Sequence, residues 1–190
     1  VSMLRKTHTD DKSLKRLERI ETAAQMLKER YNELDYLIKK QMERESIESF
    51  DLQELVEERL GFLMPLYSGV RWESDLAPMD VRADRIGLGK VIDNLVENGV
   101  KYSPTEPQIT IRIQGKTLSI CDRGIGMDEI ALMRIYDRYY QSDSAMAGYG
   151  IGLNLVKRYC DRHRIALHVS SEVGKGTCVK LEFKGDKNGE

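Results

Sequence analysis

The stretch Asn94-Leu95-Val96-Glu97-Asn98-Gly99-Val100-Lys101-Tyr102-Ser103-Pro104 decides how this chain is read. It is the second half of a segment, Asp84 to Tyr102, whose apolar residues recur at helical spacing, and Ser103-Pro104 closes it. Spacings of four and three put Asn94, Asn98 and Lys101 on one helical face, with Tyr102 beside them. Two amide oxygens there can ligate a hard cation such as Mg²⁺, directly or through its waters, and Lys101 supplies a point charge suited to phosphate. Polar residues on a helix are equally explained as a solvated face. Residues downstream of Pro104 decide between the two.

Three more patterns stand there in order. In Asp122-Arg123-Gly124-Ile125-Gly126 an apolar strand carrying Leu118 and Ile120 delivers a carboxylate and then two glycines. A carboxylate at a strand end can accept from an exocyclic amine such as that of adenine, and glycines let backbone approach a flat ring. A plain turn with an exposed Asp is the competing reading. Tyr136-Asp137-Arg138-Tyr139-Tyr140-Gln141 joins aromatic and charged residues ahead of a small, polar stretch, Ser142 to Ala147, and serves equally as a packing anchor. Gly148-Tyr149-Gly150-Ile151-Gly152-Leu153 opens a helix, and backbone N–H groups at a glycine-rich helix start attract anions. No apolar strand precedes it, as a dinucleotide fingerprint requires, and no Walker A loop is present.

The rest of the chain supports a mixed architecture. Apolar residues make up 41% and charged residues 32% of 190, which suits a folded domain with an appendage. Thirty basic and 31 acidic residues give a net charge of −1, without the basic excess of a nucleic-acid binder. No apolar run approaches the roughly 20 residues a membrane helix needs, so no membrane contact and a cytoplasmic setting are expected for this segment. Cys121, Cys160 and Cys178 lack any CxxC spacing and read as buried thiols in a reduced compartment. Between residues 47 and 185 the patterns predict helices over Phe50–Leu63, ended at Pro65, then Asp84–Tyr102, Asp128–Tyr136 and Gly150 to about His163. They predict strands over Val70–Leu76, Ile109–Ile113, Thr117–Asp122, Ile165–Ser170 and Thr177–Phe183. Without regular βαβ alternation, this is an α+β fold, a two-layer sandwich of a mixed sheet with helices on one face. Residues 186–190 form a tail expected to fray. Ahead of it all, Leu17, Ile20, Ala24, Leu27, Tyr31, Leu34 and Ile38 form a heptad seam, which predicts a long coiled-coil-like helix within residues 1–46.

Taken together, the four patterns resemble the nucleotide-binding boxes of the histidine-kinase branch of the gyrase/Hsp90/histidine kinase/MutL superfamily. Asn94 to Pro104 looks like its N box, Asp122 to Gly126 its first glycine box, Tyr136 to Tyr140 its F box, and Gly148 to Leu153 its second glycine box. Gly174-Lys175-Gly176-Thr177 resembles the closing glycine–threonine turn. The resemblance covers about residues 48 to 184 and implies an ATP-binding kinase domain of a two-component sensor histidine kinase. It implies that Asn98, assisted by Asn94, ligates Mg²⁺ and that Lys101 meets phosphate. It also implies that Asp122 bonds the adenine amine, that Tyr102 lies against the base and that Arg138 reaches the γ-phosphate. Gly124 and Gly126 would line the base, Gly148, Gly150, Gly152 and Leu153 would shape the phosphate loop, and Thr177 would close the site. The family's hydrolysing members carry a Glu where Asn94 stands, so phosphoryl transfer is favoured over hydrolysis. Gly99 stands where the box more usually has Ala.

The heptad helix resembles the second helix of the dimerisation and phosphotransfer hairpin, with Met3-Leu4-Arg5-Lys6 as a stub of the first. A homodimer through this helix and a response-regulator receiver domain as acceptor are the implied partners, in a protein whose full length can be membrane-anchored. His8, followed by Thr9-Asp10-Asp11-Lys12 without Pro, does not fit the phosphoacceptor motif, which is expected upstream. The rivals are a serine/threonine-directed kinase of the same superfamily, which would lack the long helix, and a non-catalytic dimerising scaffold, which the intact boxes disfavour.

Overall fold

The computed structural model divides the chain into two units, Val1–Glu45 and Ser46–Glu190. It describes residues 46–135 and 152–184, together with Ile20. The expected heptad helix and the F box lie outside the described residues, as do Arg138, Gly148 and Gly150.

Two strands that the sequence pattern does not reveal open the second unit. β1 (Ile47–Asp51) pairs antiparallel with β3 (Asp80–Asp84) as a separate two-stranded ribbon, with Phe50 opposite Val81. The expected helix start at Phe50 is therefore corrected: α1 runs Leu52–Leu66. Asp51 caps it, accepting from the Gln53 N–H at 2.9 Å and from the Met79 N–H at 3.0 Å, so one carboxylate both starts the helix and ties it to the chain entering β3. Pro65 does not end α1 but sits in its last turn.

The main sheet has the order β2-β4-β5-β7-β6, from β2 (Arg71–Asp75), β4 (Gln108–Gln114), β5 (Thr117–Asp122), β6 (Ala166–Glu172) and β7 (Gly176–Glu182). β2 runs parallel to β4 and every other pairing is antiparallel. The mixed sheet is as expected. Along β4 and β5, Ile109, Ile111, Ile113, Leu118 and Ile120 are buried, and Val179 and Leu181 continue that face on β7. α2 (Arg85–Lys101) covers it with Leu88, Ile92, Leu95 and Val96, and α4 (Gly152–Arg162) packs beside α2 through Val156 and Tyr159. A short helix, α3 (Glu129–Arg134), is capped by Asp128, which accepts from the Ala131 N–H at 2.7 Å. The alternate residues of β4, β5 and β7 face away from these helices, and this second face is polar.

On that polar face the cysteine expectation fails for two of three. Cys121 of β5 and Cys178 of β7 stand directly opposite each other and are joined as a disulfide. They are 57 residues apart in sequence, so only the strand register brings them together. Cys160 is the buried thiol expected, pushed up to about 12 by burial first and by Asp161 second.

Tyr159 fixes α4 to the start of α2. Its ring is buried and its hydroxyl donates to the Asp84 carbonyl at 2.8 Å. Replacing Tyr159 by Phe keeps the packing and removes that bond, and urea unfolding should show a loss of about 0.5–1.5 kcal/mol. An unchanged midpoint would mean that the bond contributes nothing.

Candidate nucleotide-binding site

The site forms where α2, the C-terminal end of β5 and the start of β7 converge. α2 carries two stripes at once. Val91, Ile92, Leu95, Val96 and Gly99 are buried against the sheet, while Asn94, Asn98 and Lys101 occupy the neighbouring, half-buried stripe. The Asn94 amide donates to the Lys90 carbonyl one turn back at 2.8 Å, which leaves its oxygen to face outward from the helix. A Cβ placed on Gly152 would lie 3.1 Å from Asn94 Oδ1 and 3.3 Å from Asn98 Nδ2. The last glycine of the second box thus rests on both asparagines of the N box, with Leu153 half-buried next to it.

Lys101 leans over its neighbour. Its Nζ is 3.3 Å from the Tyr102 hydroxyl and 4.8 Å from the ring centre, a cation–π contact that holds both side chains at one end of the polar stripe. Arg59, which no local pattern marks, braces the other end. It forms a two-pronged ion pair with Asp93 at 2.8 and 2.7 Å, so α1 grips α2 one residue before Asn94.

Asp122 is the most constrained group. Its Oδ1 accepts from the Gly124 N–H at 2.8 Å and from the Thr177 N–H at 3.1 Å. Among the described residues both of these bonds fall on one oxygen, and Oδ2 is left to receive a further donor. Burial raises the carboxyl above its ordinary 3.8, against the opposing pull of the two N–H bonds. Gly99 lies alongside: a Cβ there would come 2.6 Å from Ile109 Cδ1 and 3.2 Å from Asp122 Cβ. The departure from Ala therefore has a local consequence, a closer approach of α2 to the Asp122 strand.

The glycines of the first box serve a structural purpose beside the one expected. They admit neighbouring backbone, whatever they also do for a ring. A Cβ on Gly124 would be driven into the Tyr102 carbonyl oxygen, and one on Gly126, whose φ is 63°, into that of Glu172. The same approach makes hydrogen bonds. The Ile125 N–H donates to Tyr102 O at 2.9 Å and the Gly174 N–H to Ile125 O at 2.7 Å. The first box is thus sewn between the end of the N box and the β6–β7 turn.

Ser171, likewise unmarked by any local pattern, knots that turn. Its hydroxyl donates to Gly176 O at 3.0 Å, accepts from the Met127 N–H at 2.9 Å and lies 2.8 Å from the Thr177 hydroxyl. Of the thirteen candidate residues, the structure gathers Asn94, Asn98, Lys101, Tyr102, Asp122, Gly124, Gly126, Gly152, Leu153 and Thr177 around these elements.

Residues 83–187 match the family profile described as histidine kinase-, DNA gyrase B-, and HSP90-like ATPase. The chain belongs to this family. Its relatives place it in the histidine-kinase branch, as a histidine kinase catalytic domain. It is 41% identical over 118 residues to the phosphate regulon sensor protein PhoR of Pseudomonas aeruginosa, covering 57% of this chain and 27% of that one. It is 30% identical over 181 residues to the sensor histidine kinase YkoH of Bacillus subtilis, covering 91% and 40%. Among solved structures it superposes on the mycobacterial sensor histidine kinase MprB with a TM-score of 0.64 at 27% identity, over 72% of this chain and 95% of that one. The chain thus spans less than half the length of these two curated relatives. Among the described residues, no helix of this catalytic domain is long and apolar enough to cross a membrane.

Two substitutions separate architecture from recognition. Gly124→Ala, which sets a methyl against the Tyr102 carbonyl, should cost about 1–3 kcal/mol of stability, read by thermal or urea unfolding. Asp122→Asn keeps an oxygen for the two N–H donors but presents NH₂ in place of Oδ2. A carboxyl raised by burial adds stability only when protonated, and that contribution is lost as pH rises through its folded value. At neutral pH the uncharged Asn should therefore unfold no more readily than the wild type. ADP binding, measured by calorimetry, should weaken by about tenfold to a hundredfold.

Proposed function

We propose that residues 47–185 bind Mg–ATP and donate its γ-phosphate to a histidine, as the kinase domain of a two-component sensor. The observation that carries this reading is the close approach of Gly152 to Asn94 and Asn98, which leaves no room for a side chain, beside a carboxylate whose Oδ2 accepts no bond among the described residues. In this reading Asp122 Oδ2 accepts the adenine amine, while Gly124 and Thr177 hold Oδ1 and so fix the direction of the other lone pairs. Tyr102 lies along the base, with Thr177 at its edge. Asn98 and Asn94 turn amide oxygens toward the phosphates, where Mg²⁺ would be held, and the cation supplies charge neutralisation when bound. Two amide oxygens, one turn apart on α2, are hard donors of the kind such a cation takes. Lys101 leaves Tyr102 to meet phosphate, and Gly148, Gly150 and Arg138 complete the phosphate side.

Asn94 cannot take a proton from water as a carboxylate can, which supports transfer over hydrolysis. The acceptor histidine would lie on a helix upstream of Val1. Residues 1–46 would supply the second helix, and a stub of the first, of a dimerising bundle, with residues 186–190 as a tail. The phosphate would then pass to an aspartate of a response-regulator receiver domain. The full-length protein would work at the cytoplasmic side, with or without a membrane anchor.

Calorimetry with ATP and ADP tests the core of this proposal. Binding should appear at millimolar nucleotide or below, and for ATP it should strengthen with Mg²⁺. The chain alone should gain little acid-labile phosphate, and a chain extended upstream through a full helix should gain it. No heat with either nucleotide would sink the reading.

A further inference from the structure

We propose that Cys121 and Cys178 are a reversible thiol–disulfide couple whose oxidation by low-molecular-weight disulfides tightens the nucleotide site. The coupling to nucleotide rests on the ATP-site reading above, whereas formation of the bond does not.

The β5–β7 ladder runs from Thr117 opposite Glu182 to Cys121 opposite Cys178, and the cysteines are its last rung. Immediately past that rung stand Asp122 on one strand and Thr177 on the other, joined by the Thr177 N–H bond to Asp122 Oδ1 at 3.1 Å. The end of a ladder is where strands separate most cheaply, since opening it breaks few bonds. A covalent link there holds the carboxylate and its donor at their working distance. Both cysteines are half-buried on the polar face, away from the helices, and Thr110 and Ser170 flank them across the neighbouring strands. A small disulfide can reach them from that side. Cys160 is buried on α4 and stays out of the exchange.

The chemistry balances as thiol–disulfide exchange. The thiolate of one cysteine attacks the small disulfide, forming a mixed disulfide and expelling one small thiolate. The thiolate of the second cysteine attacks the protein sulfur of that adduct, forming the Cys121–Cys178 bond and expelling the second. The protein gives up two electrons and the small disulfide takes them. The two protons leave the protein thiols and end on the two released thiols. The loop that this bond closes contains the first glycine box, the F box and the second glycine box.

In the reduced form the rung can open, and only the closed fraction holds Asp122 as the adenine amine requires. Apparent affinity falls in proportion to that fraction, so oxidation should tighten ADP binding by about threefold to tenfold. The test equilibrates the full chain with reduced glutathione or with glutathione disulfide, then denatures and alkylates each sample for intact mass. Alkylation at three cysteines in the reduced sample and at Cys160 alone in the oxidised one is expected. ADP calorimetry on the same samples should show the tighter constant after oxidation. Cys121→Ser and Cys178→Ser should each bind ADP equally in both buffers, at the reduced wild-type level. Three alkylated cysteines after oxidation, or a lasting glutathione adduct in place of the internal bond, would overturn the couple. Equal ADP affinity in the two states would overturn the coupling. Failure of ADP to bind in either state would overturn the coupling together with the ATP-site reading, and the mass measurement separates that result from failure of the bond.

Discussion

The Asp122 carboxylate, pulled into the end of a sheet and held there by two backbone N–H groups, is the constraint to which the rest of the site conforms. Burial disfavours its charge and the bonds from Gly124 and Thr177 favour it, and the net effect is a carboxyl raised above its ordinary value. Desolvation therefore wins. A group whose ionisation works against the fold, with Oδ2 accepting no bond among the described residues, is what the proposed adenine contact requires. Its two donors come from chain segments 53 residues apart (177 minus 124), so β5, β7 and the turn before β7 must all be in place before the carboxylate has a direction.

α2 meets that constraint by keeping two adjacent stripes in phase. Helical periodicity sends Ile92, Leu95, Val96 and Gly99 to the sheet and leaves Asn94, Asn98 and Lys101 alongside, so depth of packing sets the height of the polar stripe. Gly99 lies where the two meet Asp122, and the missing methyl lets the helix settle closer to β5. The Arg59–Asp93 pair limits rotation of α2 from the opposite side. It is only partly buried, at 23% side-chain exposure on each partner, and the two-pronged geometry favours orientation more than stability.

The sequence made legible those features whose signals are local. The α2 stripes, the β4–β5 hairpin with its turn at Gly115, the β6–β7 turn and the glycine boxes each lie within a few residues of their own cause. β1 and β3 escaped because each is five residues long and they pair only with each other, outside the main sheet, and the start of an amphipathic helix overlaps the first. The Cys121–Cys178 bond escaped because spacing along the chain says nothing of register across a sheet. Arg59, paired with Asp93, and Ser171, through Met127, escaped for the same reason, being ordinary residues tied to partners far away in sequence. The first glycine box was found by its pattern, but its packing against protein backbone was not. Gly124 and Gly126 face protein carbonyls, which a one-dimensional pattern cannot distinguish from a flat ligand.

These close approaches have a consequence for how binding is transmitted. The first glycine box is bonded to Tyr102 at the end of α2 and to the turn before β7, and its neighbour Met127 is bonded to Ser171. The second box returns to α2 at Gly152, against Asn94 and Asn98. Met127 and Gly152 are therefore each held beside groups of the candidate site. A shift of α2 relative to β5 would pull on both, through the Tyr102–Ile125 bond at one and through Asn94 and Asn98 at the other, while Ser171 and the β6–β7 turn hold the first in place. The Cys121–Cys178 rung lies at the fixed edge of that arrangement, on the side of the sheet that α2 does not cover. The helix and the strand pair thus constrain Asp122 from opposite faces, and tightening either one narrows the same carboxylate's freedom.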